Sequence, residues 1–387
     1  MNQTVAQLII KFLNKSASVS ELDELEKLLE NKENQVLFKE LVRVNHLLNR
    51  TVFDVQSDDI LHVLLEKLKR EKKQSLRLTR KKRITYAAAA LVIISLGISL
   101  FNRIYTTVDP LKPVIINSNI NIGTNKAVLT LDDGSNITLE KGNQYQAENA
   151  QSNGEKLVYH EDNITTSSLD VDYNTLTIPR GAQFYLQLPD STKIWLNSDS
   201  QLRYPTTFRA AETRSIELVY GEIYLEVAES DKNNGTPFKV RSRDQEIEVL
   251  GTEFNIKAYK EEQQTYTTLV NGSVAIRVDE NVQQLRPNEQ AVVSLNQSIK
   301  ISPIEVYDEI SWKDGIFSFK GKTLEKIMTV LSRWYDIDFN FENTSLKRMK
   351  FVGVLGKEQE ITEILETLKN IGTITNYQIN DKTVTLK

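Results

Sequence analysis

Apolar and polar positions along this chain follow two periods, one helical and one strand-like, which change from region to region. From residue 2 to 73 the apolar residues recur at helical spacing, and Ser, Asn and Asp punctuation divides them into four short helices over residues 2–14, 21–31, 34–49 and 58–73. Ser18 with Glu21 three residues later fits a capping box in front of the second helix. The third helix, NQVLFKELVRVNHLLN, carries one apolar stripe at Leu37, Leu41, Val44 and Leu48 and a second at Phe38 and Val42. A bundle this small needs one stripe, so the second either packs inside the bundle or receives a partner.

The stretch ITYAAAALVIISLGISLF, residues 84–101, runs 18 positions without a charge. That is close to the roughly 20 residues a helix needs to cross a bilayer core. Ten Lys and Arg lie between Lys67 and Arg83, against Arg103 and Lys112 on the far side. The pattern predicts one transmembrane helix over 84–103, with residues 1–83 held in the cytoplasm by the positive-inside rule. The segment begins too deep in the chain for a cleaved signal peptide.

Beyond a linker at about Thr106 to Asn125, the period falls to two, with turn residues every eight to twelve positions. LTLDDGSNITL (129–139) and LQLPDSTKIWL (186–196) share the pattern L-x-L-x-D-small-small-x-I-x-L. LVYGEIYL (218–225) and LVNGSVAI (269–276) match each other, with Gly221 and Gly272 at equivalent corners. Repeated strand-turn-strand units predict a solenoid-like or sandwich all-β domain. After Trp312 the period changes again, and the order β-α-β-β-α-β-β predicts a small α+β domain, its first helix striped by Leu324, Ile327, Met328 and Leu331 and its second by Ile361, Ile364, Leu365 and Leu368. The expected fold is therefore multi-domain. It comprises an all-α N-terminal bundle (1–80), a transmembrane helix (84–103), a linker with the first β units (104–175), an all-β domain (176–300) and a C-terminal α+β domain (310–387).

Composition narrows the chemistry. The net charge of −4 does not favour nucleic acid as the main partner, and the local basic run lacks interleaved aromatics. There is no cysteine, so disulfides, thiolate nucleophiles and Cys-ligated zinc are excluded. His46, His62 and His160 are scattered, which argues against a histidine triad or multi-histidine metal site. Asp132, Asp133 and Asp190 fall in turns, where Asp is expected for its hydrogen bonds, and are not read as calcium ligands. Trp195, Tyr204 and Phe208 read as core or face-packing aromatics. No cofactor is expected.

Several co-linear stretches then carry a family resemblance: IPRGAQFYLQLPDSTKIWLNSDSQLRYPTTF, VYGEIYLEV, PFKVRS, VLGTEFNIKAY, and LVNGSVAI followed by LRPNEQAV, over residues 178–293. They resemble the FecR-type transmembrane anti-sigma factors in the form found in Bacteroidetes. The tail WKDGIFSFKGKTLEKIMTVLSRWYDIDFNFE is similar to the domain that accompanies FecR domains there, itself like the short N-terminal signalling domain of secretins and TonB-dependent receptors.

The resemblance implies an inner-membrane, single-pass protein with its N-terminus cytoplasmic and its C-terminus periplasmic. Its N-terminal helices would bind an extracytoplasmic-function sigma factor, for which the stripe residues Leu37, Phe38, Leu41, Val42, Val44 and Leu48 are the candidates, and its periplasmic part would answer to the signalling domain of a TonB-dependent outer-membrane transducer. The resemblance also marks Gly251-Thr252 in VLGTEFNI as a possible autoproteolytic bond, where the threonine hydroxyl attacks the preceding carbonyl in an N-to-O acyl shift. The other reading of that pair is a glycine at a β bulge followed by a β-forming threonine. Apart from this pair no catalytic residues are expected. The rival function is a membrane-anchored periplasmic carbohydrate-binding or hydrolytic β protein, which leaves the N-terminal helices without a role.

Overall fold

The computed structural model describes residues 114–116, 119–160 and 171–387, with residues 8, 19–29, 31, 34 and 38 of the N-terminal part. The chain divides into two compact units, residues 1–115 with 375–378, and residues 116–374 with 379–387.

In the first unit, Val19–Leu28 is a helix with Glu21 in its first turn and Lys27 in its last, charges that complement the helix dipole. Leu8, Leu25, Leu29 and Phe38 are buried. Ser18, and with it the expected capping box, lies outside the described residues, as do the helix over 58–73 and the uncharged stretch 84–101.

The expected architecture needs correction. The described residues are predominantly β-strand with few helices, and among them no helix is long and apolar enough to cross a membrane. The longest, Leu324–Tyr335, has 12 residues, or about 18 Å at 1.5 Å per residue, short of the roughly 30 Å hydrocarbon core. The expected helical bundle and membrane helix are therefore not among the elements that the described residues form.

In the second unit, strands between Thr124 and Pro303 form two sheets on one hydrophobic core. One runs, in spatial order, through Asn136–Glu140, Thr124–Thr130, Tyr173–Ile178, Ser200–Pro205, the first half of Arg214–Glu226, Phe238–Ser242, Gln245–Val249, Val274–Val278 and Asn281–Leu285. The other runs through Tyr145–Gln146, Ala150–Ser152, Lys156–Tyr159, Ala182–Gln187, Lys193–Leu196, the second half of Arg214–Glu226, Glu253–Ala258, Gln264–Asn271, Glu289–Ser294 and Ile299–Pro303. The chain passes back and forth between them, so the sequence repeats become stacked hairpins. The units before residue 160 share these sheets through Val128↔Thr177 and Lys156↔Tyr185.

The echoes in the sequence are structural repeats. Leu129 faces Ile137 and Leu186 faces Ile194 in identical register. In each turn a buried or half-buried leucine closes the hairpin, Leu131 N–H donating to Ser135 O and Leu188 N–H to Thr192 O at 2.9 Å. The turn aspartates then accept from the backbone, Asp133 from Ser135 N–H at 2.8 Å and Asp190 from Thr192 N–H at 3.0 Å. Gly221 and Gly272 are the corners at which the chain changes sheet, with φ of 104° and 92°. A Cβ on Gly221 would lie 2.4 Å from the Ser200 Cα, so the crossing tolerates only glycine.

Residues 307–386 form an α+β module. Its elements are strand Ile316–Thr323, helix Leu324–Tyr335, strands Asp338–Phe341 and Lys350–Gly356, helix Ile361–Asn370, and strands Tyr377–Asn380 and Thr383–Leu386. Thr323 caps the first helix by accepting from Lys326 N–H, and Asp336 closes it in the left-handed conformation. Leu324, Ile327, Met328 and Leu331 are all buried, the stripe that positions this helix.

Candidate functional site: the junction between sandwich and module

The module docks on the outward face of the second sheet, where side chains at matching register positions form one row: Tyr185, Trp195, Tyr224, Asn255, Thr268 and Gln290. The first three pack edge to face, with centroids 5.1 and 5.6 Å apart. Asn255 and Thr268 are buried although they point away from the core. Trp312 reaches Asn255, its indole N–H donating to Asn255 Oδ1 at 3.3 Å.

Two arginines work in opposite directions across the junction. Arg333, from the module's first helix, stacks 3.3 Å over the Tyr259 ring and donates to Glu261 Oε1 at 2.5 Å and Glu262 Oε1 at 2.9 Å. These partners hold its guanidinium above its usual range even though burial pulls it down. Arg180, from the sandwich, donates to the Ser332 carbonyl and Asp338 Oδ1, both at 3.1 Å, and to the Ile337 carbonyl. It thus sits at the carbonyl end of that helix, where a cation is favoured. Between the arginines, Gly181 N–H donates to the Arg333 carbonyl at 2.7 Å.

Lys357 is enclosed by Trp334, Phe317 and Trp312, whose centroids lie 4.2, 5.2 and 5.4 Å from its Nζ, and it donates to Gln183 Oε1 at 2.7 Å. Burial pushes its amine down to about 7, with the Glu222 carboxylate pulling the other way. Glu222 itself is buried and accepts from Asn197 Nδ2 at 2.8 Å and Asn255 Nδ2 at 3.1 Å. Burial raises its carboxyl against the opposing pull of Lys257. Lys257, Glu309 and Lys322 form a further chain, with Lys322 2.8 Å and Lys257 3.9 Å from Glu309. A cleft of about 830 Å³ remains between sheet and module, lined by Tyr259, Tyr266, Gln290, Trp312, Lys326 and Arg333 among others.

The residues singled out by sequence fall elsewhere. Of Leu37, Phe38, Leu41, Val42, Val44 and Leu48, only Phe38 lies within the described residues, and it is buried. Thr252 is buried, and its hydroxyl donates to the Ser273 carbonyl at 3.0 Å. Gly251 has a φ of 159°, close to fully extended, and the strand pair that follows changes register between Glu253 and Phe254. Gly272 backs this site, since a Cβ there would lie 2.9 Å from both the Gly251 carbonyl oxygen and Thr252 Oγ1. Asp190 receives Arg214 Nη1 at 2.6 Å in an ion pair almost wholly buried. Tyr204 is buried against Tyr159, Phe208 packs on Phe238, and Trp195 lies in the outward row. His160 pairs with Gln151, while His46 and His62 lie outside the described residues. The junction residues Arg180, Arg333 and Lys357 were not anticipated. The only sequence signal was the presence of two tryptophans and an arginine in SWKDGIFSFKG and LSRWYD, surplus to the helical stripe.

The architecture thus defines a two-module β-rich chain in which an α+β module is seated on a sandwich. Residues 174–275 match the family described as FecR protein, and residues 316–386 match the family described as FecR, C-terminal. The chain thus carries a FecR domain followed by a FecR C-terminal domain. No curated protein matches it. Among solved structures, a Parabacteroides distasonis ATCC 8503 protein described as a candidate anti-sigma factor is similar at 26% identity and a TM-score of 0.49, over 55% of this chain and 98% of that one. A second structure of a protein so described, from the same organism at 2.50 Å, gives the same identity, coverage and TM-score.

Proposed function

We propose that this chain is a signal-transducing anti-sigma factor. Its N-terminal part binds an extracytoplasmic-function sigma factor in the cytoplasm, and its sandwich and module respond in the periplasm to the signalling domain of a TonB-dependent outer-membrane transducer. The observation that carries this reading is the co-linear pair of FecR and FecR C-terminal domains at 174–275 and 316–386.

The apolar stripes at Leu37, Leu41, Val44 and Leu48 and at Phe38 and Val42 are the candidate sigma-factor contacts. In the module, strand Lys350–Gly356 pairs with Ile316–Thr323 in a two-stranded sheet, and among the described residues its outer edge has no partner strand, which suits it to receive a strand from a partner. This reading locates the chain at the inner membrane, with its two ends in different compartments.

Co-expression of the full chain with a candidate sigma factor, followed by affinity purification, tests the first contact. Co-elution that falls away in a Leu41→Asp, Val44→Asp double variant supports it, and a sigma factor that never co-elutes removes it. Deleting residues 312–387 is expected to abolish the transcriptional response to the inducer, and an unchanged response would remove the module's role.

A further inference from the structure

The junction is built with unusual chemistry for a permanent contact. Packing that never opens is dominated by apolar side chains, whereas interfaces that form and break are polar and rely on charge pairing and aromatic anchors. Here the sandwich presents Gln183, Asn255, Tyr259, Glu261 and Glu262, and the module answers with Trp312, Arg333 and Lys357. Between its two sheets the sandwich is held by a large cluster of aliphatic and aromatic side chains.

Two further features point the same way. A cleft of about 830 Å³, lined from both sides, is left between the surfaces. Lys357 is buried with a single hydrogen bond to the sandwich, a cation or amine that water would solvate fully on opening.

We propose that the seated module is a releasable clasp, held by Arg333 on Tyr259, Glu261 and Glu262 and by Arg180 on the end of helix Leu324–Tyr335, and that it opens as a unit while the sandwich stays folded. Opening uncovers the Asn255, Thr268 and Gln290 part of the outward row together with the Trp312, Phe317 and Trp334 cage. The clasp rests on the junction's geometry alone and stands whether or not the sigma-factor reading holds.

Hydrogen exchange on the purified full chain reads the opening directly. The Gly181 amide donates across the junction to Arg333, whereas the Tyr224 and Ile256 amides belong to the sandwich. The Gly181 amide is expected to exchange at least ~100-fold faster than those two, and Arg333→Gln is expected to speed it a further ~10-fold without changing them. The chain has no cysteine, and a Cβ on Gly181 would lie 3.4 Å from that of Asp336, within reach of a disulfide. Gly181→Cys with Asp336→Cys should therefore slow exchange of the amide at position 181 at least ~10-fold when oxidised, and reduction should restore it. The reduced form controls for the substitutions themselves. Gly181 exchanging at the sandwich rate in the parent chain, or the position-181 amide of the double variant exchanging equally fast with the disulfide open and closed, would overturn the clasp.

Discussion

Replacing Gly221 with alanine probes the point on which the sandwich topology turns. This residue carries strand Arg214–Glu226 from one sheet into the other, with Leu218 facing Leu202 before it and Ile223 facing Leu196 after it. Two costs add at this position. At φ of 104° an L side chain is strained, by about 1–2 kcal/mol. The added methyl would also lie 2.2 Å from Ser200 Oγ and 2.4 Å from Ser200 Cα. A hydroxyl can rotate away, but a backbone carbon cannot, so the strands must part by about 1 Å and the Ser200 Oγ to Glu222 N–H bond of 2.9 Å is stretched. Overpacking of this kind costs about 1–3 kcal/mol.

The total expected is about 3 kcal/mol, or a midpoint lowered by roughly 9 °C for a unit of this size. Gly134 supplies the control, since it also has positive φ, 83°, but nothing lies within 4 Å of its Cβ position. Gly134→Ala should cost only the conformational part, about 1 kcal/mol. Thermal and urea unfolding of the two variants beside the parent chain measure the difference. If Gly221→Ala is no more destabilising than Gly134→Ala, the close approach of Ser200 is not what reserves this corner for glycine, and the account of the crossing fails.

Asp190→Asn leaves Arg214 buried without its anionic partner and should destabilise by about 3 kcal/mol in urea unfolding; a loss below about 1 kcal/mol would mean the pair contributes little. Lys357 sets a pH dependence. Its buried amine is pushed down to about 7 from an ordinary 10.5, so between those values the released form holds a proton that the seated form has lost, and seating strengthens as pH rises through that window. The slope is at most ~1.4 kcal/mol per pH unit, Glu222 acts with the opposite sign through its own raised range, and below 7 the lysine contributes no slope. The urea midpoint measured from pH 6 to 9 should climb above 7, and the climb should vanish in Lys357→Met; a flat or falling curve would refute the assignment. At Gly251-Thr252 the hydroxyl is engaged by the Ser273 carbonyl and the glycine is nearly extended, so the full chain is expected to run as one band on a denaturing gel. A fragment beginning at Thr252 that disappears in Thr252→Val would show that the bond is cut after all.

Much of the sandwich and module is legible in the sequence because their residues obey local rules. The L-x-L-x-D hairpins could be paired by eye, since the aspartate dictates the turn and the turn dictates the register that places Leu129 opposite Ile137 and Leu186 opposite Ile194. The Leu324, Ile327, Met328, Leu331 stripe names its helix in the same way. The N-terminal expectations rested on period and hydropathy alone, which report what a segment could bury and not the element it forms. The junction was not legible, because Arg180 and Arg333 are 153 positions apart and nothing local relates a proline-flanked arginine to the last turn of a distant helix.

The buried polar row explains why that junction escapes sequence reasoning and also what it accomplishes. Asn255, Thr268 and Gln290 sit at the outward positions of their strands, where alternation assigns residues to water, yet they are buried in the seated state. A face meant to be covered permanently would gain from Leu or Val at these places, since each buried amide must find partners merely to break even. Asn255 finds them in Glu222 and Trp312, and Gln290 in Thr268. Such a face is compatible with either state: hydrogen-bonded when the module is seated and hydrated when it is not. Aliphatic residues would make the released state costly and prone to association. The polarity of the row therefore lowers the cost of exposing it to water when the module is released.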